Sequence, residues 1–345
     1  MKLIERIEQL SKIGATENGI SRLTDSIEDI RGKSLVMQWM LEDGLSVSKD
    51  IYGNIRGTLP GYGPPIVTGS HTDTVATAGK YDGALGVLAG LEAARELKGK
   101  LKHPLEVVIF YDEENTMSGS IGYCSKRPEI KAFIELHVEQ GPVLDHQGVD
   151  IGIVEGIVGQ RRCSVKIFGQ ENHAGTTPMN MRDDALVKTS QIITYVNEKA
   201  LTYDGLVATV GVLNVYPNAF SVVPGRVDFT LQIRDLDSDR MEKFVEDVSK
   251  EFDFRYEIQY KSEPALCDSW VKDCISRASS KFGLKSILMP SRASHDSQNF
   301  TFCPMGMIFV PSIGGISHSP KERTTDEMCH NGVKVLIETI KNLDK

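Results

Sequence analysis

The sequence predicts an α/β protein of two domains, and three observations carry that reading. At 345 residues the chain exceeds one comfortable core, so roughly two domains are expected. Apolar runs at 66–67, 105–111 and 307–311 each end in a polar segment. Such runs suit strands covered on both faces, whose carboxyl edge is where open α/β sheets place ligands. Residues 160–262 carry a strand and helix pattern of their own, which inserts a smaller α+β domain into the larger one. The expected division is 1–158 with 263–345 for the first domain and 159–262 for the second.

Taken in order, Leu3, Ile7 and Leu10 have helical spacing, and a loop rich in Gly and Thr at 14–24 leads to a second helix through Leu35, Met40 and Leu41. Val47, Ile51 and Ile55 suggest short strands before the turn at 60–65. After Asp82, a helix places Val87, Leu91 and Ala94 on one face. Its glycines lower intrinsic helicity by up to about 1 kcal/mol each, so close packing against the sheet must hold it. In the inserted region, strands are expected at 163–168, 206–215 and 226–233 and helices at 183–200 and 237–252, with 258–266 returning the chain to the first domain. Thr324 and Glu327 form a capping box that opens a final helix through Val333, Leu336 and Ile340.

Hydrophobic content of 40%, charged content of 25% and a net charge of -8 describe an ordinary globular chain. They offer no electrostatic footprint for nucleic acid or an anionic membrane. No apolar run approaches the roughly 20 residues that span a bilayer, and the first residues lack a basic start with an apolar core. The six cysteines are scattered without Cys-x-x-Cys spacing, as in a reduced cytoplasmic protein. A small-molecule substrate is the expected partner.

The chemistry begins at residues 69–75, where an apolar run ends in His71 with Asp73 close behind and Asp82 further on. Alone, His71 and Asp73 would make an ordinary turn. The strand at 105–111 runs into Asp112, Glu113 and Glu114, acids that repel one another unless a cation neutralises them. His137 alone would be a core histidine, and His318 follows another buried run. Together His71, Asp82, Glu114, His137 and His318 make a mixed nitrogen and oxygen set. Such a set suits zinc, manganese, cobalt or nickel rather than magnesium or a thiolate-bound metal. Five ligands with a bridging Asp suggest two divalent ions, and Asp73 could orient the His71 imidazole.

Residues 69–75, 81–87, 112–114, 137–144, 159–162, 172–179, 222–225 and 315–320 resemble, in order, the M20 metallopeptidase-like amidohydrolases. Within them the likeness is to the hydantoinase/carbamoylase branch of N-carbamoyl-L-amino acid hydrolases and allantoate amidohydrolases. The resemblance implies a zinc-exopeptidase-like catalytic domain with a mixed sheet, interrupted by a smaller α+β domain that forms the interface of a homodimer. It implies metal binding by His71, Asp82, Glu114, His137 and His318, with Asp82 bridging, Asp73 behind His71 and Glu113 as general base. His173, a surface-loop histidine when read alone, would reach across from the partner subunit to stabilise the oxyanion. Arg234 would hold a substrate carboxylate, with Gln140 and Gln160 on the substrate side.

Three departures bear on the substrate. Ser221 stands where the family carries Asn, with Asn218 nearby. Ser294 replaces a Gly before His295, and the interval from Glu114 to His137 is short. The expected function is a di-metal hydrolase that cleaves a C–N bond of a small N-carbamoyl or ureido compound bearing a carboxylate. Its products would be ammonia with carbon dioxide, or a ureido compound. The alternatives are an aminoacylase or dipeptidase, which the residues at 137–141 disfavour, and a non-catalytic metal-binding dimer, for which Glu113 would be superfluous.

Overall fold

The computed structural model describes residues 2–345. The chain forms two compact units, Met1–Ile157 with Leu266–Lys345, and Val158–Ala265.

The first unit is a mixed sheet covered by helices. Its centre is four parallel strands in the spatial order Leu105–Phe110, Ile66–His71, Ala132–Val138 and Met305–Val310. All four are buried along their whole length, which explains their continuous apolar character. Antiparallel strands Ile55–Leu59 and Ser46–Lys49 extend one side. On the other side, Ile151–Ile157 runs antiparallel to Met305–Val310 and pairs in parallel with Ser286–Ser291. Parallel central strands all end at the same edge, so the residues after His71, Phe110, Val138 and Val310 converge there.

Helix Ala84–Leu97 is buried on nearly every side, as its apolar, glycine-rich sequence requires. At Gly86 a Cβ would stand 2.4 Å from the Leu136 carbonyl oxygen. That contact is the close approach to the sheet which compensates for weak helix propensity. Helix Leu3–Ser11 buries Leu3, Ile7 and Leu10, and Ile27–Glu42 starts at Ser26, whose side chain accepts from the Asp29 N–H. The last helix, Asp326–Leu343, corrects the capping-box expectation. Its N-cap is Thr325, whose side chain accepts from the Met328 N–H. Thr324 lies one position too early because burial of Cys329, Val333 and Leu336 sets the register.

The second unit is a four-stranded antiparallel sheet ordered Val207–Tyr216, Arg226–Asp235, Gly159–Phe168, Tyr256–Ser262. Arg226–Asp235 alternates strictly between buried and half-buried residues, as expected of a sheet with one covered face. Helices Ala185–Ala200 and Ser238–Glu251 cover it, joining Ile192, Phe244 and Val248 to Cys163, Val165, Phe229 and Leu231 in one core. The segment expected to leave this unit at 258–266 instead supplies its edge strand, Tyr256–Ser262, since pairing with Gly159–Phe168 satisfies its backbone. No helix among the described residues is long and apolar enough to cross a membrane.

Candidate metal centre

All four central strands and one turn deliver the candidate ligands to one place. His71 is the last residue of its strand, and His137 is the penultimate residue of Ala132–Val138. Glu113 and Glu114 follow Phe110, and His318 follows the strand Met305–Val310. Asp82 arrives on the turn into helix Ala84–Leu97. Gly83 makes that turn with φ +61°, and a Cβ there would stand 2.4 Å from the His71 ring. Only glycine allows this conformation and this approach together.

Asp82 divides the ligand set. Its Oδ1 lies 3.2 Å from His137 Nε2 and 3.6 Å from His71 Nε2. Its Oδ2 lies 3.3 Å from His318 Nε2, which is itself 3.5 Å from Glu114 Oε2. Two donor groups result, His71 with His137 and Asp82, and Glu114 with His318 and Asp82, the ligand atoms of each within 4.8 Å of one another. Glu113 Oε2 lies 3.4 Å from His71 Nε2. The five residues expected to hold metal therefore lie together, with Glu113 alongside.

The imidazoles are held through their other nitrogens. His71 Nδ1–H donates to the Asp73 backbone carbonyl at 3.0 Å and His137 Nδ1–H to the Val138 carbonyl at 2.9 Å. A carbonyl can only accept, so each Nδ1 carries a proton and Nε2 is the nitrogen facing Asp82, a donor in the protonated ring and a lone pair for a cation in the neutral one. Asp73 thus holds His71 mainly through its backbone, its carboxylate Oδ1 being 3.7 Å away. The other carboxylate oxygen accepts from the Thr24 hydroxyl and the Glu114 N–H, both at 3.2 Å, and so fixes the Glu114 turn.

Gln140 also reaches the centre. Its Nε2 donates to Asp82 Oδ2 at 2.8 Å and its backbone N–H to Ser312 Oγ at 3.0 Å. Ser317 Oγ donates to the same Asp82 oxygen at 3.2 Å.

The electrostatics match a cation site. Burial opposes the charge on Asp82, but hydrogen bonds from His137, His318 and His71 hold its carboxyl well below the usual range. Burial likewise opposes protonation of His71, yet Glu113, Asp82, Asp73 and Glu114 leave it well above the ordinary histidine value. Burial pushes Glu113 well up; His71 opposes this, while Asp296, Glu114 and Asp82 add to it. Buried carboxylates this close are tolerable only with positive charge among them. The acids raise the pKa of His71, His137 and His318 against burial, and divalent ions fit the same nitrogen and oxygen donors.

Some residues around the centre escaped sequence reasoning. Glu135, two positions before His137 on the same strand face, accepts from Ser70 Oγ at 2.8 Å and the Ser297 N–H at 3.1 Å. His295 lies with its ring centroid 4.6 Å from that of His137. Asp296 is fully buried. The His295–Asp296 dipeptide was the only signal for this group, and the residue before it, Ser294, is exposed. Glu135 was concealed by its apolar strand.

The remaining expected residues lie in the second unit, in two places. Gln160 and Arg234 are cross-strand partners in register. His173 pairs with Val222, the Ala174 N–H donates to the Ser221 carbonyl at 2.9 Å, and Asn218 follows a cis Tyr216–Pro217 bond. His173 Nδ1 accepts from the Gly175 and Thr176 N–H groups at 2.9 and 3.2 Å. Its proton is therefore on Nε2, on an exposed ring. The loop carrying Asn218 and Ser221 joins the sheet at Arg226, whereas Arg234 is near the far end of the same strand. At about 3.3 Å per residue, Arg226 and Arg234 are roughly 26 Å apart along that strand.

The sequence profile of Peptidase family M20/M25/M40 matches residues 67–342. The chain belongs to this family. An N-carbamoyl-L-amino acid amidohydrolase of Geobacillus stearothermophilus is 36% identical over 397 aligned positions, covering 98% of this chain and 97% of the relative. The allantoate amidohydrolase of Bacillus subtilis (strain 168) is 34% identical, covering 99% and 97%. The crystal structure of an amidase of the hydantoinase/carbamoylase family from Burkholderia multivorans matches with a TM-score of 0.90 at 31% identity, covering 100% and 98%. These likenesses put this M20 chain in the hydantoinase/carbamoylase branch, and the family with the clustered donors points to use of divalent metal.

Proposed function

We propose that the protein is a di-metal amidohydrolase that cleaves the carbamoyl or ureido C–N bond of a small substrate bearing a carboxylate. The carrying observation is Asp82, which offers one oxygen to each of two donor groups with Glu113 beside them. His71 and His137 would hold one ion, Glu114 and His318 the other, and Asp82 both. When bound, zinc, manganese, cobalt or nickel ions supply Lewis-acid polarisation of the substrate carbonyl and the attacking water.

Glu113 does the proton work. Its ionised carboxylate takes a proton from the water as the water adds to the carbonyl, then gives it to the leaving nitrogen. Ammonia leaves, and for an N-carbamoyl amino acid the remaining carbamate breaks down to carbon dioxide and the amino acid. Asp73 keeps the Glu114 turn and His71 in place. Gln140 contacts the substrate once it leaves Asp82, and Arg234 with Gln160 binds the substrate carboxylate by a planar fork beside an amide. Ser294, exposed before His295, acts only at the margin of substrate binding.

His173 supplies an Nε2–H donor for the oxyanion, near Ser221 and Asn218. The loop that pairs with His173 joins the strand Arg226–Asp235 at the end remote from Arg234, beyond the reach of a small substrate, which supports a homodimer in which each subunit lends His173 to its partner.

The test is a panel of N-carbamoyl amino acids and allantoate assayed for ammonia, against N-acyl amino acids and dipeptides assayed for released amine, with zinc- and manganese-loaded protein. Ammonia release from the first group is the expected result. Amine release from the second alone would overturn the substrate class, and no turnover of either would overturn the hydrolase.

A further inference from the structure

Asp82 is gripped from behind by a residue outside the ligand set. Glu322 lies on the segment after His318 and is 6% exposed. Its Oε2 accepts the backbone N–H groups of Tyr81 at 3.0 Å and Asp82 at 3.4 Å. Gly79 faces the same group, since a Cβ there would stand 2.1 Å from Oε2. The chain leading to Asp82 is thus shaped around this carboxylate.

The arrangement is costly by itself. A second buried acid beside Asp82 adds repulsion, and its Oε1 has no hydrogen-bond partner. A surface turn could satisfy two N–H groups with water at less cost. What the buried carboxylate adds is rigidity between two loops, for it fixes the Tyr81–Asp82 backbone to the segment that carries His318. A swing of that backbone would displace both Asp82 oxygens at once, one from His71 and His137 and the other from His318. Gln140 and Ser317 reach only Oδ2 of the side chain, so neither restrains the main chain.

We propose that Glu322 is a positioning residue that sets Asp82 between the two donor groups and couples its placement to that of His318. The inference rests on the two-ion reading of the centre.

The experiment measures metal affinity of the apo protein by competition with a chromogenic chelator, using zinc and manganese alone, so no turnover is needed. Wild-type protein should take up two ions. Glu322→Ala should lose about 10- to 100-fold in affinity for at least one, the usual effect of removing a group that orients ligands. Glu322→Gln keeps an acceptor oxygen and should recover to within a few-fold of wild type, which a purely electrostatic role would not allow.

Wild-type affinity in Glu322→Ala, or equal losses in Glu322→Ala and Glu322→Gln, would overturn the proposal. If Glu322→Ala fails to fold, Glu322→Asp takes its place, with loss expected because the shorter side chain retracts from both N–H groups. Wild-type protein that binds no ion would sink the two-ion reading and this inference with it. Wild-type protein that binds both while Glu322→Ala is unaffected would sink the inference alone.

Discussion

Glu113 and Glu114 are neighbours with the same side chain, and the fold gives them different surroundings. Glu114 Oε2 faces His318, while Glu113 Oε2 faces His71, and burial drives Glu113 well above the ordinary carboxylate range. A group meant to take and return a proton benefits from that shift, whereas a ligand only needs its lone pairs. Glu113→Gln should therefore keep the metal content of the wild type, measured by atomic absorption, and lose about 10²- to 10⁴-fold in turnover. Full turnover would remove Glu113 from the base role.

The residue scale also shows where sequence reading stops. Candidate ligands were legible in His71, Glu114, His137 and His318 because each lies in or beyond an apolar run, and in Asp82 because it stands between His71 and an apolar helix. The partner of the His71 imidazole was not, because it is the backbone carbonyl of Asp73. Every residue has a carbonyl, so the chain carries no mark of it.

At the scale of elements, apolar runs identified the central strands, and amphipathic spacing identified helices such as Leu3–Ser11. Errors came where two neighbours offer the same signal. Thr324 and Thr325 both fit a cap, and only the helix's burial register selects Thr325. The strand Tyr256–Ser262 was missed although Tyr256, Ile258 and Tyr260 alternate with Glu257, Gln259 and Lys261 as a strand requires. Its residues are mostly exposed, so the alternation marks an edge strand rather than a buried one.

The last helix illustrates an element tied down by charge. At its end Asp344 accepts the N–H groups of His103 at 2.8 Å and Lys102 at 2.9 Å. Burial would raise the Asp344 pKa, but these bonds and His103 lower it. A depressed folded-state pKa gives stability that is complete above the unfolded value near 4 and lost as pH falls below it. Asp344→Ala should cost about 1–2 kcal/mol at pH 7 in urea unfolding. The difference from wild type should shrink as the pH is taken from about 4 towards 2. A difference independent of pH would show that packing, not the carboxylate, is lost.

For the whole molecule, the central proposal is that one active site draws on two chains. Mixing Glu113→Gln with His173→Ala tests it, because a hybrid dimer rebuilds one site with an intact Glu113 and an intact partner His173. Each variant alone should be nearly inactive. Equimolar exchange should restore about a quarter of wild-type activity, from one good site in half of the dimers of a symmetric pair. No recovery after exchange verified by mass spectrometry would place His173 outside the partner's site.

The sequence by itself pointed to a metal site through residue types and their order, with candidate nitrogen and oxygen ligands beyond buried runs, and to the hydrolase family through the ordered motifs that resemble it. Side-chain chemistry and hydrophobic periodicity are local properties, so a linear text can hold them. Tertiary structure alone decided that Asp82 turns one oxygen to each donor group, and that Glu322 grips its backbone from a segment more than two hundred residues away. It also decided that Asp73 holds His71 by a carbonyl, and that Gln160 and Arg234 pair at the end of their strands away from Arg226, where the loop carrying Ser221 enters. These are relations of direction and distance between remote parts of the chain. They exist only once the parallel strands have brought their carboxyl ends together.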